Sequence, residues 1–156
     1  MYTNIVKQYA ENKKGRFNYE ILEEFEAGII LSGPEVKSVR MGQISLKESF
    51  ATISRGEIWL TNAHISPYKQ ASDQDQEPTR PRKLLLSKAE IEKLIGKSQA
   101  EGMTLIPLRV YDKHGKIKIG IGLAKGKKKY DKREQIKKRD LNREISRDLK
   151  DNTRSR

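Results

Sequence analysis

Residues 103–123, with the sequence MTLIPLRVYDKHGKIKIGIGL, consist of two strand-like runs around a polar centre. Residues 103–111 and 116–123 are rich in β-branched and other apolar side chains, and residues 112–115 between them are typical of a turn. Basic and apolar side chains alternate over residues 116–121, so we expect one face of that strand to be buried and the other to be positively charged. The stretch therefore predicts an antiparallel hairpin with a cationic outer face.

Similar patterns elsewhere in the chain predict further strands. A second hairpin is predicted over residues 50–65, with its turn at Arg55-Gly56. Another antiparallel pair is predicted over residues 17–31, with its turn at residues 26–28. Short strands of this kind avoid exposed edges by curling into a closed or partly closed barrel. We therefore expect a mainly β fold, an OB-like antiparallel β-barrel with a few short helices.

Two short helices are predicted between these strands. The first begins near Pro34, which suits an opening position, and ends near Gly42. In the second, Ser87 and Glu90 have the spacing of a capping box, and Gly96 is expected to close the helix.

Charge is unevenly distributed along the 156 residues. The chain carries 33 Lys and Arg against 21 Asp and Glu, a net charge of +12, which makes nucleic acid the default partner. Residues 125–156 hold 14 of the basic and 6 of the acidic residues, a net +8, and have only a thin apolar stripe. We therefore expect a barrel over residues 1–124 and a basic C-terminal tail over residues 125–156 that is disordered when free and becomes helical against a partner.

The sequence offers little support for other classes of protein. It has no cysteine, which excludes disulfides and thiolate chemistry and fits a reducing cytoplasm. No stretch is apolar enough to span a membrane, so an anionic membrane surface is a weaker alternative to nucleic acid. The only histidines, His64 and His114, lack metal-ligand spacing, and there is no phosphate loop or nucleophile elbow. We expect no catalytic residue, no metal and no cofactor, and hence no enzyme.

Four segments, taken in order, resemble the tmRNA-binding (SsrA-binding, SmpB) protein family. They are FEAG at residues 25–28, GPEVKSVR at 33–40, RPRKLLL at 80–86 and GIGLAKGKKKYDKR at 120–133. Each segment alone is a weak match, but together they extend over nearly the whole chain. The resemblance implies that the protein binds the tRNA-like domain of tmRNA and directs it to stalled ribosomes for trans-translation, which rescues the ribosome and tags the incomplete peptide.

The resemblance also implies how the two parts of the chain work. The barrel would mimic the anticodon arm of a tRNA, and the tail would become helical on the ribosome and probe the empty mRNA channel near the decoding centre. The implied partners are tmRNA and the ribosome, with elongation factor Tu on charged tmRNA as a further candidate and no membrane.

Two sets of site residues follow from the resemblance. The RNA-contact set is Asn12, Glu26, Lys37, Arg40, Arg82, Lys83, Leu85, Lys118 and Lys125. The ribosome-binding tail set is Gly126, Lys127, Lys128, Tyr130, Asp131, Lys132, Arg133 and Ile136.

The residues alone leave several of these assignments open. Surface Lys and Arg are ordinarily solvated, and Glu26 either decorates a turn or accepts hydrogen bonds from a base or a ribose. Leu85 either points outward, where it could pack on an unstacked base, or belongs to a strand that is buried on both faces. Trp59 is predicted to be a core residue. Two other functions compete: a generic single-stranded nucleic-acid-binding OB protein, which would need aromatic platforms, and an enzyme acting on nucleic acid.

Overall fold

The computed structural model describes residues 7–69, 77–100, 102–127, 133 and 136–145. The chain divides into two compact units, Met1–Gly126 and Lys127–Arg156. The strands of the first unit are β1 (Lys7–Glu11), β2 (Tyr19–Ile29), β3 (Ile44–Ser45), β4 (Phe50–Ser54), β5 (Glu57–Thr61), β6 (His64–Ile65), β7 (Arg82–Leu85), β8 (Met103–Lys113) and β9 (Lys116–Gly126). Its helices are α1 (Lys13–Asn18), α2 (Gly33–Arg40) and α3 (Lys88–Ser98). In the second unit, residues 136–145 are helical.

Six strands form a closed antiparallel barrel. Their order is β8-β4-β5-β7-β2-β9, and the ring closes because β9 also pairs with β8. The joint between β4 and β8 is narrow, with Ala51 opposite Leu105, whereas β8 and β9 pair along almost their whole length. Strand β1 pairs with residues 109–112 of β8, beyond the short joint between β8 and β4. The predicted mainly β, OB-like barrel is confirmed.

Both hairpins predicted from turn residues are present. The turn between β4 and β5 consists of Arg55 and Gly56, with φ of 51° and 74°. The turn between β8 and β9 consists of His114 and Gly115, with φ of 52° and 76°. Positive φ at both turn residues matches the twist of the adjoining strands and favours glycine at the second position. The second turn is shorter than the predicted four residues, because the strands continue to Lys113 and from Lys116.

The antiparallel pair predicted over residues 17–31 is wrong. Strand β2 runs without a turn from Tyr19 to Ile29. Gly28, which was expected to help make the turn, lies opposite Lys118 of β9 on one side and Leu85 of β7 on the other. A strand with a neighbour on each side has its backbone hydrogen bonds satisfied in an extended conformation, so small and acidic residues do not bend it.

The core fills the barrel with side chains that alternate along its strands. Ile58 and Leu60 of β5 are fully buried, so Trp59 between them points outward and is half-buried. The prediction that Trp59 belongs to the core is therefore wrong. In β7, Leu84 is 1% exposed and Leu85 is 49% exposed, which decides the open alternative in favour of an outward Leu85.

The two predicted helices are confirmed, with one difference. In α3, the Ser87 side chain accepts a hydrogen bond from the Glu90 amide, and the Glu90 side chain accepts one from the Ser87 amide, which is the predicted capping box. The helix continues through Gly96 to Ser98, so its predicted end is wrong. Helix α1 and strand β1 were not predicted.

Candidate nucleic-acid interface

Four adjacent strands bring the outward residues of distant segments into one row. Leu85 of β7 lies opposite Gly28 of β2, Gly28 lies opposite Lys118 of β9, and Lys118 lies opposite Tyr111 of β8. Glu26 is two residues before Gly28 and therefore shares its face. We call these five residues the central face. It contains three of the predicted RNA-contact residues: Glu26, Leu85 and Lys118.

The carboxylate of Glu26 is held by two donors. The Tyr111 hydroxyl donates to Oε1 at 2.5 Å, and Lys113 Nζ donates to Oε2 at 3.2 Å. The hydrogen bond from Tyr111 and the charges of Lys113 and Lys118 lower the pKa of Glu26 despite partial burial. Burial and the same hydrogen bond raise the pKa of the Tyr111 phenol. Glu26 is therefore an ionised acceptor in a fixed position.

A glycine in β9 allows acidic and basic side chains to meet above that strand. A Cβ at Gly120 would lie 2.7 Å from Glu24 Oε1 and 3.4 Å from Arg109 Cγ. Arg109 Nε is 3.3 Å from Glu24 Oε1, and the Arg109 guanidinium lies 4.6 Å from the centre of the Tyr111 ring. These contacts cover the ring of Tyr111, which is 4% exposed. The ring is thus part of the support for Glu26 and not a stacking platform.

Lys83 and Trp59 extend the outer surface beyond Leu85. Lys83 lies opposite Trp59 in the pairing of β7 with β5, and its Nζ is 3.1 Å from Glu57 Oε1. Both partners of this ion pair are more than a third exposed, so the pair contributes little to stability and is easily exchanged for a phosphate. Trp59 is the aromatic residue that the sequence analysis missed, and its alternation with two buried neighbours was the signal that it faces outward.

The two predicted cations of α2 have different surroundings. Arg40 Nη2 donates to the carbonyl of Gly115 at 2.9 Å, so its guanidinium sits at the β8–β9 turn. Lys118 follows Gly115 by three residues along β9, a distance of about 10 Å. The ammonium of Lys37 lies 5.3 Å from the centre of the Tyr68 ring. The structure therefore brings Arg40 to one end of the central face and places Lys37 beside a surface tyrosine.

Arg82, by contrast, is buried. Its Nε donates to Glu35 Oε2 at 2.6 Å, and its two terminal nitrogens donate to the carbonyls of Ala63 and Pro78, each at 2.9 Å. The Arg82 side chain is 0% exposed. In this structure Arg82 cannot touch RNA, and its effect on the surface is to fix the start of β7, which carries Lys83.

Glu35 is the centre of this buried cluster. Its carboxylate also accepts hydrogen bonds from Arg80 and from the amide of Ser32, which it caps. Burial acts to raise the pKa of Glu35, but the hydrogen bonds from Arg80, Ser32 and Arg82 outweigh burial and hold the pKa below its ordinary value. The ionised Glu35 thus joins α2 to β7, the two elements that carry Arg40 and Lys83.

Asn12 is also engaged inside the protein. Its side-chain oxygen accepts from the Gly15 amide at 2.9 Å, and its side-chain nitrogen donates to the Pro107 carbonyl at 2.8 Å. Asn12 is 8% exposed, caps α1 and fastens that helix to β8. Burial therefore leaves its amide group little access to RNA.

Lys125 lies far along β9 from Lys118, and part of the tail set lies outside the described residues. Lys125 is exposed and lies opposite Glu20, seven residues along β9 from Lys118, which is a separation of about 23 Å. Gly126, Arg133 and Ile136 are exposed, and Lys127 is half-buried. Lys128, Tyr130, Asp131 and Lys132 lie outside the described residues.

Comparison with known proteins agrees with the resemblance in the four segments. The family model described as SmpB protein matches residues 9–151. The chain belongs to the SmpB family. Over 145 residues it is 57% identical to an SsrA-binding protein of Acetivibrio thermocellus, an alignment that covers 93% of this chain and 94% of the relative. It is 56% identical over 141 residues to the SsrA-binding protein of Streptococcus mutans, with 90% and 91% covered.

A solved structure adds a match in three dimensions. It is described as "tmRNA-SmpB: a journey to the center of the bacterial ribosome" and has a TM-score of 0.63 and 48% identity. The match covers 76% of this chain and 84% of the solved chain. Among the described residues of this SmpB-family chain, no helix is long and apolar enough to cross a membrane.

Proposed function

We propose that this chain binds the tRNA-like domain of tmRNA and directs it to stalled ribosomes for trans-translation. The relatives that cover almost the whole chain are SsrA-binding proteins, and the solved SmpB chain comes from a structure of tmRNA and SmpB in the bacterial ribosome. In this role the protein is a cytoplasmic binding protein and not an enzyme.

The single observation that carries the proposal is the fixed carboxylate of Glu26 beside an outward leucine on a basic protein. An acid repels phosphate, so a surface that served only to bind a duplex backbone would have no use for it. A carboxylate accepts hydrogen bonds from base amino and imino groups and from a ribose 2′-OH, and Leu85 offers an apolar surface to an unstacked base. These groups suit the unpaired loops of a folded RNA, while Lys83, Lys118 and Arg40 supply phosphate contacts around them.

The proposal assigns separate work to the two parts of the chain. The barrel, residues 1–124, binds the RNA and itself takes the place of a tRNA anticodon arm. The tail, residues 125–156, enters the empty mRNA channel near the decoding centre and forms a helix there, with Arg133 and Ile136 among its ribosome contacts. Elongation factor Tu, in complex with charged tmRNA, is the further partner in this proposal. The tail's high density of basic residues supports this role, because a channel lined by ribosomal RNA is strongly anionic.

The RNA that co-purifies with the chain from bacterial cells tests the proposal. We expect one abundant structured RNA with a tRNA-like end, and a Glu26→Ala variant should recover less of it. A Lys97→Ala variant, which removes a cation on α3, is the matched control and should recover the usual amount. A mixture of unrelated fragments would favour the generic single-stranded binder, to which the outward Trp59 would contribute a stacking surface.

A further inference from the structure

No feature of the fold around Gly28 explains why this position is a glycine. Glycine in the interior of a strand weakens it and is ordinarily explained by a bulge, a positive φ, a crowded neighbour or the close approach of a ligand. Around Gly28 the pairing with β7 and β9 is regular, since the register shift of β2 lies between Ile21 and Glu23. Gly28 is not among the glycines with positive φ.

Crowding does not explain Gly28 either. A Cβ built on Gly28 would have its nearest contact at 3.4 Å, with Leu85 Cβ, and the next at 3.7 Å, with Leu85 Cδ1. The first distance is at the lower limit of ordinary van der Waals contact and the second is within it, so at most a small shift of Leu85 would admit a Cβ. At Gly122, by contrast, a Cβ would lie 2.9 Å from the buried Leu108. The remaining explanation for Gly28 is an approach from outside.

We propose that Gly28 is the floor of a slot that takes one unpaired base of the bound RNA, with Leu85 and Lys118 as its walls and Glu26 at its end. This inference rests on the proposed function and assigns a specificity-determining role to a residue without a side chain. Gly28 lies directly opposite both wall residues, one strand away on each side. The two walls are therefore about 9 to 10 Å apart at their Cα atoms.

The size and chemistry of the slot fit a base. A flat ring with an apolar or aliphatic contact on each side needs about 7 to 8 Å between the atoms that contact it. A side chain on residue 28 would occupy that space. Leu85, 49% exposed, supplies one apolar wall, and the aliphatic stem of Lys118 supplies the other while its ammonium reaches a phosphate. Glu26, on the same face two residues before Gly28, accepts a hydrogen bond from the edge of the base.

The test is a series at position 28: Gly28→Ala, Gly28→Val and Gly28→Leu, in the full chain. Each variant is titrated with a transcript of the tRNA-like domain of tmRNA and with a fully paired RNA duplex of the same length. Because one stacked base contributes about 1–3 kcal/mol, we expect Gly28→Val to bind the transcript about 5- to 160-fold more weakly. Affinity for the duplex and the salt dependence should not change, since phosphate contacts are retained. Gly96→Ala, on α3 with no atom within 4 Å of the added Cβ, is the control.

Stability separates the slot from a structural role of the glycine. Valine suits a strand better than glycine does, so the Tm should stay the same or rise while binding of the transcript falls. A fall in Tm for Gly28→Ala would show that the barrel needs the glycine and would overturn the slot. If Gly28→Val does not fold, the test uses Gly28→Ala instead. If Gly28→Ala prefers the transcript to the duplex as strongly as the unsubstituted chain does, the proposal is overturned.

The same titrations distinguish failure of the slot from failure of the proposed function. If the unsubstituted chain prefers the transcript to the duplex and Gly28→Val keeps that preference, only the slot is wrong. If the unsubstituted chain shows no preference, both are wrong.

Discussion

Tyr111 donates a 2.5 Å hydrogen bond to Oε1 of Glu26 although strand β9 lies between their two strands. The contact is possible because position 120, opposite Glu26 on β9, is a glycine. It converts a partly exposed acid on a positively charged protein into a fixed acceptor. The interface therefore combines cations that attract RNA with the fixed carboxylate of Glu26, which can accept hydrogen bonds from an unpaired nucleotide.

Replacing Tyr111 with Phe should raise the pKa of Glu26 towards its ordinary value of 4.5, because the hydrogen bond from Tyr111 is the largest cause of its lowered pKa. A carboxyl pKa that is lower in the folded than in the unfolded chain stabilises the folded state at pH values above the unfolded pKa. That stabilisation is lost as the pH falls through the folded pKa. In Tyr111→Phe the stability lost on acidification should therefore be smaller, and the loss should be complete at a higher pH.

Carboxyl NMR titration of Glu26 measures this effect directly. Tyr9→Phe is the matched control, because the Tyr9 hydroxyl donates to Asp112 at 3.2 Å and makes no contact with Glu26 among those described. An equal shift of the Glu26 pKa in both variants would contradict the proposed support.

Glu35→Ala should destabilise the barrel by about 3–5 kcal/mol, because it leaves the buried charge of Arg82 without its partner. Glu57→Ala, which breaks the exposed pair with Lys83, should cost less than about 1 kcal/mol. Urea unfolding at neutral pH compares the two variants. If both variants lost a similar free energy of unfolding, burial would not determine how much the Glu35 cluster stabilises the barrel.

Local patterns in the sequence predicted those parts of the fold that depend on neighbouring residues. The turn at Arg55-Gly56 and the capping box of Ser87 with Glu90 involve residues only one and three positions apart, and both are present. Strand β2 was missed as one strand because its continuity depends on β7 and β9, which supply partners on each side. Strand β1 is polar and exists through its pairing with β8.

The site was predictable to a similar extent. The cationic outer face of β9 follows from alternation, which is visible in the sequence. The orientation of Leu85 stayed open in the sequence, because three consecutive leucines fit more than one arrangement, and the structure decides it. Whether a basic residue is exposed depends on partners far along the chain: Arg82 is buried because Glu35, 47 residues away, meets it. The slot at Gly28 depends on which residues lie opposite it on two other strands, and no pattern within β2 shows that.

Arg40→Ala and Lys83→Ala should each weaken RNA binding and flatten the dependence of log affinity on log salt by about one unit per lost phosphate contact. Both side chains reach the periphery of the central face, where phosphates would flank an inserted base. Lys97→Ala is the control, since Lys97 is paired with Glu23 on another part of the barrel at 2.8 Å. Affinity measured from low to high salt gives the slopes. Unchanged slopes in the first two variants would show that Arg40 and Lys83 do not contact phosphates.

The end of β9 determines where the tail should be removed in an experiment. Lys125 and Gly126 still pair with β2, opposite Glu20 and Tyr19, and Lys125 also lies opposite Met103 of β8. A chain stopped after Ala124, at the boundary predicted from charge, would lose these last strand pairs. A stop after Gly126 keeps the barrel strands whole.

A chain stopped after Gly126 should keep most of its thermal stability, because stability follows the burial of the core and the described helix over residues 136–145 has exposed side chains. Its affinity for the tRNA-like domain should fall only modestly, through the loss of long-range attraction from the basic tail, since Glu26 and Leu85 belong to the barrel. Tagging of peptides on stalled ribosomes should be lost, because the residues proposed to enter the mRNA channel are gone. Melting curves, RNA titration and a tagging assay with the full chain as reference measure the three quantities. If the shortened chain supported tagging as well as the full chain, the tail would have no part in ribosome recognition, and if it unfolded, the barrel would depend on the tail.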